Sequence, residues 1–113
     1  MTAKKLPEET PVYLFLGFLE SGKTKFIQET LEDKRFNTGE KTMLLVCEEG
    51  EEEYDPARFA CKGVEVVYIE NEKELTQEKL TKLQREKGIE RVLVEYNGMW
   101  LLNTFFEAMP EGW

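Results

Sequence analysis

The chain has 113 residues, with 15 Lys and Arg against 23 Asp and Glu, a net charge of −8 and no histidine. That length holds one domain with a modest core. The acidic balance argues against nucleic acid and anionic membrane as partners, because binding a phosphate backbone needs clustered Lys and Arg. No apolar run approaches the length of a membrane span, and the first ten residues lack the apolar centre of a signal peptide, so soluble cytoplasm is the expected location.

In chain order, Val12 to Leu16 is a short apolar β-rich run. The next eight residues, Gly17-Phe18-Leu19-Glu20-Ser21-Gly22-Lys23-Thr24, fit the pattern Gly-x-x-x-x-Gly-Lys-Ser/Thr without a mismatch. Lys25 to Leu31 then has the spacing of an amphipathic helix, so the strand–loop–helix context that this motif requires is complete. Gly17 and Gly22 permit backbone angles and a close approach that a Cβ would obstruct, and the N–H groups at the start of the helix point at one anion. Gly17, Glu20, Ser21, Gly22, Lys23 and Thr24 are therefore assigned to a nucleoside triphosphate. Lys23 would reach the β- and γ-phosphates, and the Thr24 hydroxyl would ligate Mg²⁺. Glu20 stands where many such loops carry Gly; its side chain is expected to face solvent or to latch onto a basic group. The loop resembles that of the heterotrimeric G-protein α subunits, which carry Glu-Ser-Gly-Lys at the same place.

Residues 36–40 read as a loop, and Thr42 to Cys47 as an apolar central strand of a parallel sheet. Glu48-Glu49-Gly50-Glu51-Glu52-Glu53-Tyr54-Asp55 then places six carboxylates in eight residues. Read alone it is a solvated loop; after a second strand it is also where a switch segment would sense a γ-phosphate through Mg²⁺, with Glu48 and Asp55 as the candidate metal residues. Asp55 to Gly63 has an N-cap, Pro at the first helical position and Gly past the end, which predicts a short helix.

Val64 to Ile69 is a third strand, Thr76 to Lys87 a helix closed by Gly88, and Arg91 to Glu95 a fourth strand. Glu95 ends that strand as the acidic residue of a Walker B segment does, and is the candidate to hold metal or to orient the attacking water. Glu95 and Lys23 are thus the catalytic candidates. Met99 to Met109 predicts a last helix that buries Leu101, Leu102, Phe105, Phe106 and Met109 on one face, with Pro110 as its stop. Cys47 and Cys61 lack C-x-x-C spacing, so two reduced thiols are expected rather than a zinc site. Strands alternating with helical crossovers predict an α/β fold, a doubly wound, mostly parallel sheet of about four strands, with ligands at the carboxyl ends of the strands.

These motifs together resemble the CobW family of GTPases, grouped with HypB and UreG. Gly17 to Thr24 differ from the family's common Gly-Phe-Leu-Gly-Ser-Gly-Lys-Thr only at Glu20. Glu48-Glu49-Gly50-Glu51 with Asp55 is similar to its Glu-Phe-Gly-Glu switch stretch and later Asp, and Glu95-Tyr96-Asn97-Gly98 to its Glu-Thr-Ser-Gly turn. The family's Cys-x-Cys-Cys motif would fall near Ile69-Glu70-Asn71, where this chain has no cysteine, and the guanine-reading Asn-Lys-x-Asp is absent.

The resemblance implies a Mg²⁺-dependent GTP-binding switch, with GTP favoured over ATP, and a metalloenzyme or corrinoid-protein client. It also implies that residues 1–113 are the N-terminal piece of a longer protein; in such a piece the apolar face of Leu101, Phe105 and Met109 would lack the strands it covers, and self-association, as in a homodimer, is expected. The rival readings are an ATP-dependent phosphotransferase on the same loop and a nucleotide-binding interaction module without turnover.

Overall fold

A computed structural model describes residues 9–16, 22–37, 39–47, 53–60 and 63–113. Four strands, β1 (Val12–Phe15), β2 (Thr42–Val46), β3 (Val64–Tyr68) and β4 (Arg91–Glu95), form one sheet in the order β1-β4-β2-β3, all parallel. Among the described residues there are three α-helices, α1 (Lys23–Glu32), α2 (Gln77–Lys87) and α3 (Leu102–Ala108). The expected doubly wound α/β sheet is present, with every pairing parallel.

Strand periodicity sorts the core into two layers. Leu44 and Val46 of β2 and Leu93 of β4 face α1, where they pack with Ile27, Leu31 and Phe59. Their neighbours Met43, Leu45, Val92 and Val94 face the other way, onto Leu80 of α2 and Phe105 and Ala108 of α3. All five residues of β2 and all five of β4 are buried, as central strands covered on both faces require. β4 comes last in sequence but lies between β1 and β2, so its ends are fixed from both sides.

The ends of α2 follow the sequence closely. Thr76 caps the helix by accepting a hydrogen bond from the Lys79 N–H, and Gly88 closes it at φ 64°, in the left-handed region. Two other expectations are corrected. The helix predicted over 55–63 is a single 3₁₀ turn, Pro56–Arg58, because Phe59 is drawn into the core and the Ala60 N–H bonds the Leu31 carbonyl of α1 instead of continuing a helix. The last helix begins only at Leu102 and buries Phe105 and Ala108, whereas Leu101 and Phe106 stay 71% and 53% exposed. The apolar stripe read from the sequence is thus split between core and surface.

Gln84 of α2, itself buried, ties the two ends of the described chain together. Its amide donates to the Thr10 hydroxyl at 2.8 Å and accepts from the Trp113 indole N–H at 2.9 Å, and the Thr10 N–H donates to the Gly112 carbonyl at 2.7 Å. Truncation at this position leaves the Trp113 indole donor and two acceptors, the Thr10 hydroxyl oxygen and the Ile89 carbonyl, without this partner. Gln84→Ala should therefore cost about 1–3 kcal/mol in urea unfolding, with a red shift of tryptophan emission as Trp113 loosens.

Candidate functional site

Parallel pairing sets Phe15 of β1 and Val46 of β2 on either side of Glu95, so the carboxyl ends of three strands meet at one carboxylate. Backbone bonds fix that meeting point: the Tyr96 N–H donates to the Phe15 carbonyl at 3.1 Å and the Cys47 N–H to the Glu95 carbonyl at 2.9 Å. By alternation Glu95 projects to the α1 side of the sheet, as Leu93 does, and Tyr96 to the other side. There the Tyr96 ring packs edge-on against Trp100 and beside Phe105, and its hydroxyl donates to the Leu101 carbonyl.

α1 starts over this point. Gly22, the residue before it, adopts φ 90° and ψ 10° and offers no side-chain cap to the helix. Lys23 and Thr24 open the helix and both turn toward the end of β4. Lys23, 8% exposed, donates from Nζ to the Tyr96 carbonyl at 3.1 Å. Thr24 donates from Oγ1 to Glu95 Oε2 at 2.6 Å. Glu95 itself is 3% exposed, and its second oxygen, Oε1, accepts from the Tyr54 hydroxyl at 2.8 Å.

Of the sequence-derived candidates, Gly22, Lys23, Thr24 and Glu95 therefore converge. Gly17, Glu20, Ser21 and Glu48 lie outside the described residues. Asp55 stands apart: it is exposed, and its contacts run through the backbone, where its N–H donates to Gln28 Oε1 at 2.9 Å and its carbonyl accepts from Gln28 Nε2 at 3.0 Å. Two participants escaped sequence reasoning. Tyr54 was hidden in the acidic run, although it is the one aromatic among those carboxylates, and Gln28 was hidden as a polar helix position facing away from the core.

Burial, with the Glu95 carboxylate beside it, pushes the Tyr54 phenol well above the ordinary tyrosine range, so it remains a hydrogen-bond donor across all working pH. Burial, again with Glu95 adding to it, raises the Cys47 thiol to about 12. That thiol stays protonated at neutral pH.

The donor set suits a hard cation. Glu95 is a buried carboxylate met by hydroxyl groups, and the ion pairs formed among the described residues do not include it. A hydroxyl has one proton and two lone pairs; Thr24 spends its proton on Glu95 and keeps its lone pairs for another partner. No group of three or more His, Cys, Asp or Glu side chains clusters among the described residues. Mg²⁺ does not need one, since it is held by one or two carboxylates or hydroxyls with phosphates and water.

A family model described as the CobW/HypB/UreG nucleotide-binding domain matches residues 11–109. The chain belongs to this family. No curated protein and no solved structure matches it. The match spans the chain from just before β1 to just past α3, so the convergence of Gly22, Lys23, Thr24 and Glu95 sits inside the nucleotide-binding domain of a CobW/HypB/UreG protein.

The left-handed backbone at Gly22 sets up the geometry of Lys23 and Thr24. A Cβ there would meet nothing within 4 Å, so the only penalty of adding one comes from the backbone angle. Gly22→Ala should lower stability by about 1–2 kcal/mol, a fall in melting temperature of roughly 5–10 °C, and Gly22→Asn should lose less because Asn tolerates this region. Thermal melts followed by circular dichroism check both.

Proposed function

We propose that this chain is the nucleotide-binding part of a Mg²⁺-dependent GTP switch that hydrolyses GTP in its full protein and serves the maturation of a metal site or cofactor. The observation that carries the reading is the 2.6 Å hydrogen bond from Thr24 to Glu95, because it joins the end of the Gly-Lys-Thr motif to the acid at the end of β4. A turn-and-helix built for packing alone has no reason to aim a buried carboxylate at its first helical hydroxyl.

The roles follow from what each side chain presents. Lys23, at the mouth of α1, would neutralise the β- and γ-phosphates, with the helix dipole acting in the same sense. Thr24 and Glu95 would hold Mg²⁺, Thr24 through its hydroxyl oxygen and Glu95 directly or through water. A Mg²⁺ ion held by these residues would supply positive charge to offset that of the phosphates. Glu95 would also orient an attacking water. Glu48 and Asp55 are proposed as the γ-phosphate-sensing acids of the segment after β2. The preference for GTP over ATP rests on the family alone.

Partners follow the same reading. A metalloenzyme or corrinoid protein is the proposed client, and cytoplasm the proposed location. No helix among the described residues is long and apolar enough to cross a membrane. Residues 1–113 are proposed as the N-terminal portion of a longer protein. Met99, Leu101 and Phe106, exposed by 89%, 71% and 53%, support self-association as a homodimer.

Two substitutions test the core of this reading. Lys23→Ala removes a charge-assisted contact worth about 1.5–3 kcal/mol, and should weaken GTP binding at least tenfold in calorimetry while the protein stays folded. Glu95→Gln keeps the shape but removes the charge, and should lower turnover of the full protein far more than nucleotide affinity, since the loss falls on the transition state. Unchanged affinity in the first variant would remove the phosphate assignment, and unchanged turnover in the second would return Glu95 to the fold.

A further inference from the structure

Tyr54 is the one described residue of the segment after β2 whose side chain reaches the carboxylate at the end of β4. The rest of residues 54–60 is fastened along the flank of α1. Gln28 holds the Asp55 backbone by both its N–H and its carbonyl; Glu32 pairs with Arg58 at 3.3 Å; the Leu31 carbonyl accepts from the Ala60 N–H at 2.9 Å. Phe59 seats the segment in the core against Ile27 and Leu31. Gln28 is itself braced by Glu32, whose Oε2 accepts from its amide at 2.8 Å. α1 thus fixes both Thr24, at its first turn, and the segment that carries Tyr54.

Thr24 and Tyr54 consequently grip opposite oxygens of one buried carboxylate. Two donors on two oxygens define the plane of the carboxylate and leave part of its lone-pair capacity open. One donor alone would let it swing about its last torsion, which is a soft one for glutamate.

We propose that Tyr54 is a positioning residue for Glu95: its phenol O–H fixes the carboxylate plane, and the clamp made by Gln28 fixes Tyr54, so that the grip of the site on Mg²⁺ depends on how the segment after β2 lies on α1. This rests on the function proposed above and assigns to that site a residue that neither the motifs nor the family match names. The hydroxyl, not the ring, carries the role.

The test separates the hydroxyl from the ring. The protein and its Tyr54→Phe and Gln28→Ala variants are titrated calorimetrically with a non-hydrolysable GTP analogue, once with Mg²⁺ and once with EDTA. Positioning partners one step removed from a metal change its affinity by roughly 10–100-fold. Tyr54→Phe should therefore reduce the Mg²⁺-dependent gain in analogue affinity by about tenfold or more, with binding in EDTA unchanged. Gln28→Ala should move the same quantity in the same direction, and the double variant should lose less than the product of the two single losses, because both act on one element.

A purely structural Tyr54 gives another pattern: a lower melting temperature and an unaltered Mg²⁺-dependent gain, which overturns the proposal. Additive losses in the double variant would overturn the clamp. Thr24→Ala, run alongside, isolates the underlying reading. If it abolishes the gain while Tyr54→Phe matches the parent, the metal assignment stands and the positioning role falls. If the parent shows no Mg²⁺-dependent gain, both fall together.

Discussion

A carboxylate buried to 3% exposure costs several kcal/mol unless its charge is met, and Glu95 is in that position. It is met by two hydroxyls that lie 71 and 41 residues away in sequence. That requirement constrains three parts of the molecule at once. α1 has to begin where Thr24 reaches Oε2, which needs the left-handed turn at Gly22. The segment after β2 has to run along α1 so that Tyr54 reaches Oε1. β4 has to end at Glu95, which its register with Phe15 and Val46 ensures.

Strand order makes this meeting depend on long-range pairing. β1 and β2 are joined by α1 but do not pair; the last strand in sequence enters between them. The contacts that define the site therefore span most of the chain and carry the loop-closure cost of long-range pairing. The Gly-Lys-Thr turn is local, yet Lys23 and Thr24 gain their described partners, the Tyr96 carbonyl and Glu95, only when β4 is in place. A nucleotide site organised this way forms as the sheet closes, so binding and global folding are coupled.

Local signals carried far in this sequence where one physical demand dominated. β2 and β4 are legible because strands covered on both faces must be apolar throughout, and α2 because Thr76 and Gly88 mark its ends. Glu95 is legible because a charged residue closing such a run has little reason to be there for packing. The 55–63 segment was misread because its caps are real but outweighed: the drive to bury Phe59 and the open Leu31 carbonyl pull the chain away from a helix. α3 was overextended because helical spacing alone cannot tell which of two adjacent apolar residues meets the core. Tyr54 and Gln28 were illegible, since each works only through a partner on another element and neither residue type carries a motif.

The choice of donors around Glu95 has an electrostatic consequence. An arginine or lysine in the place of Tyr54 or Thr24 would satisfy the buried carboxylate equally well, but would cancel its charge and leave it nothing to offer a cation. Hydroxyls satisfy lone pairs without adding charge, so the negative end of β4 keeps its attraction. Lys23, one residue from Thr24, donates to the Tyr96 carbonyl just past the end of β4. α1 thus brings an ammonium, and β4 a carboxylate, to the same junction of helix and strand.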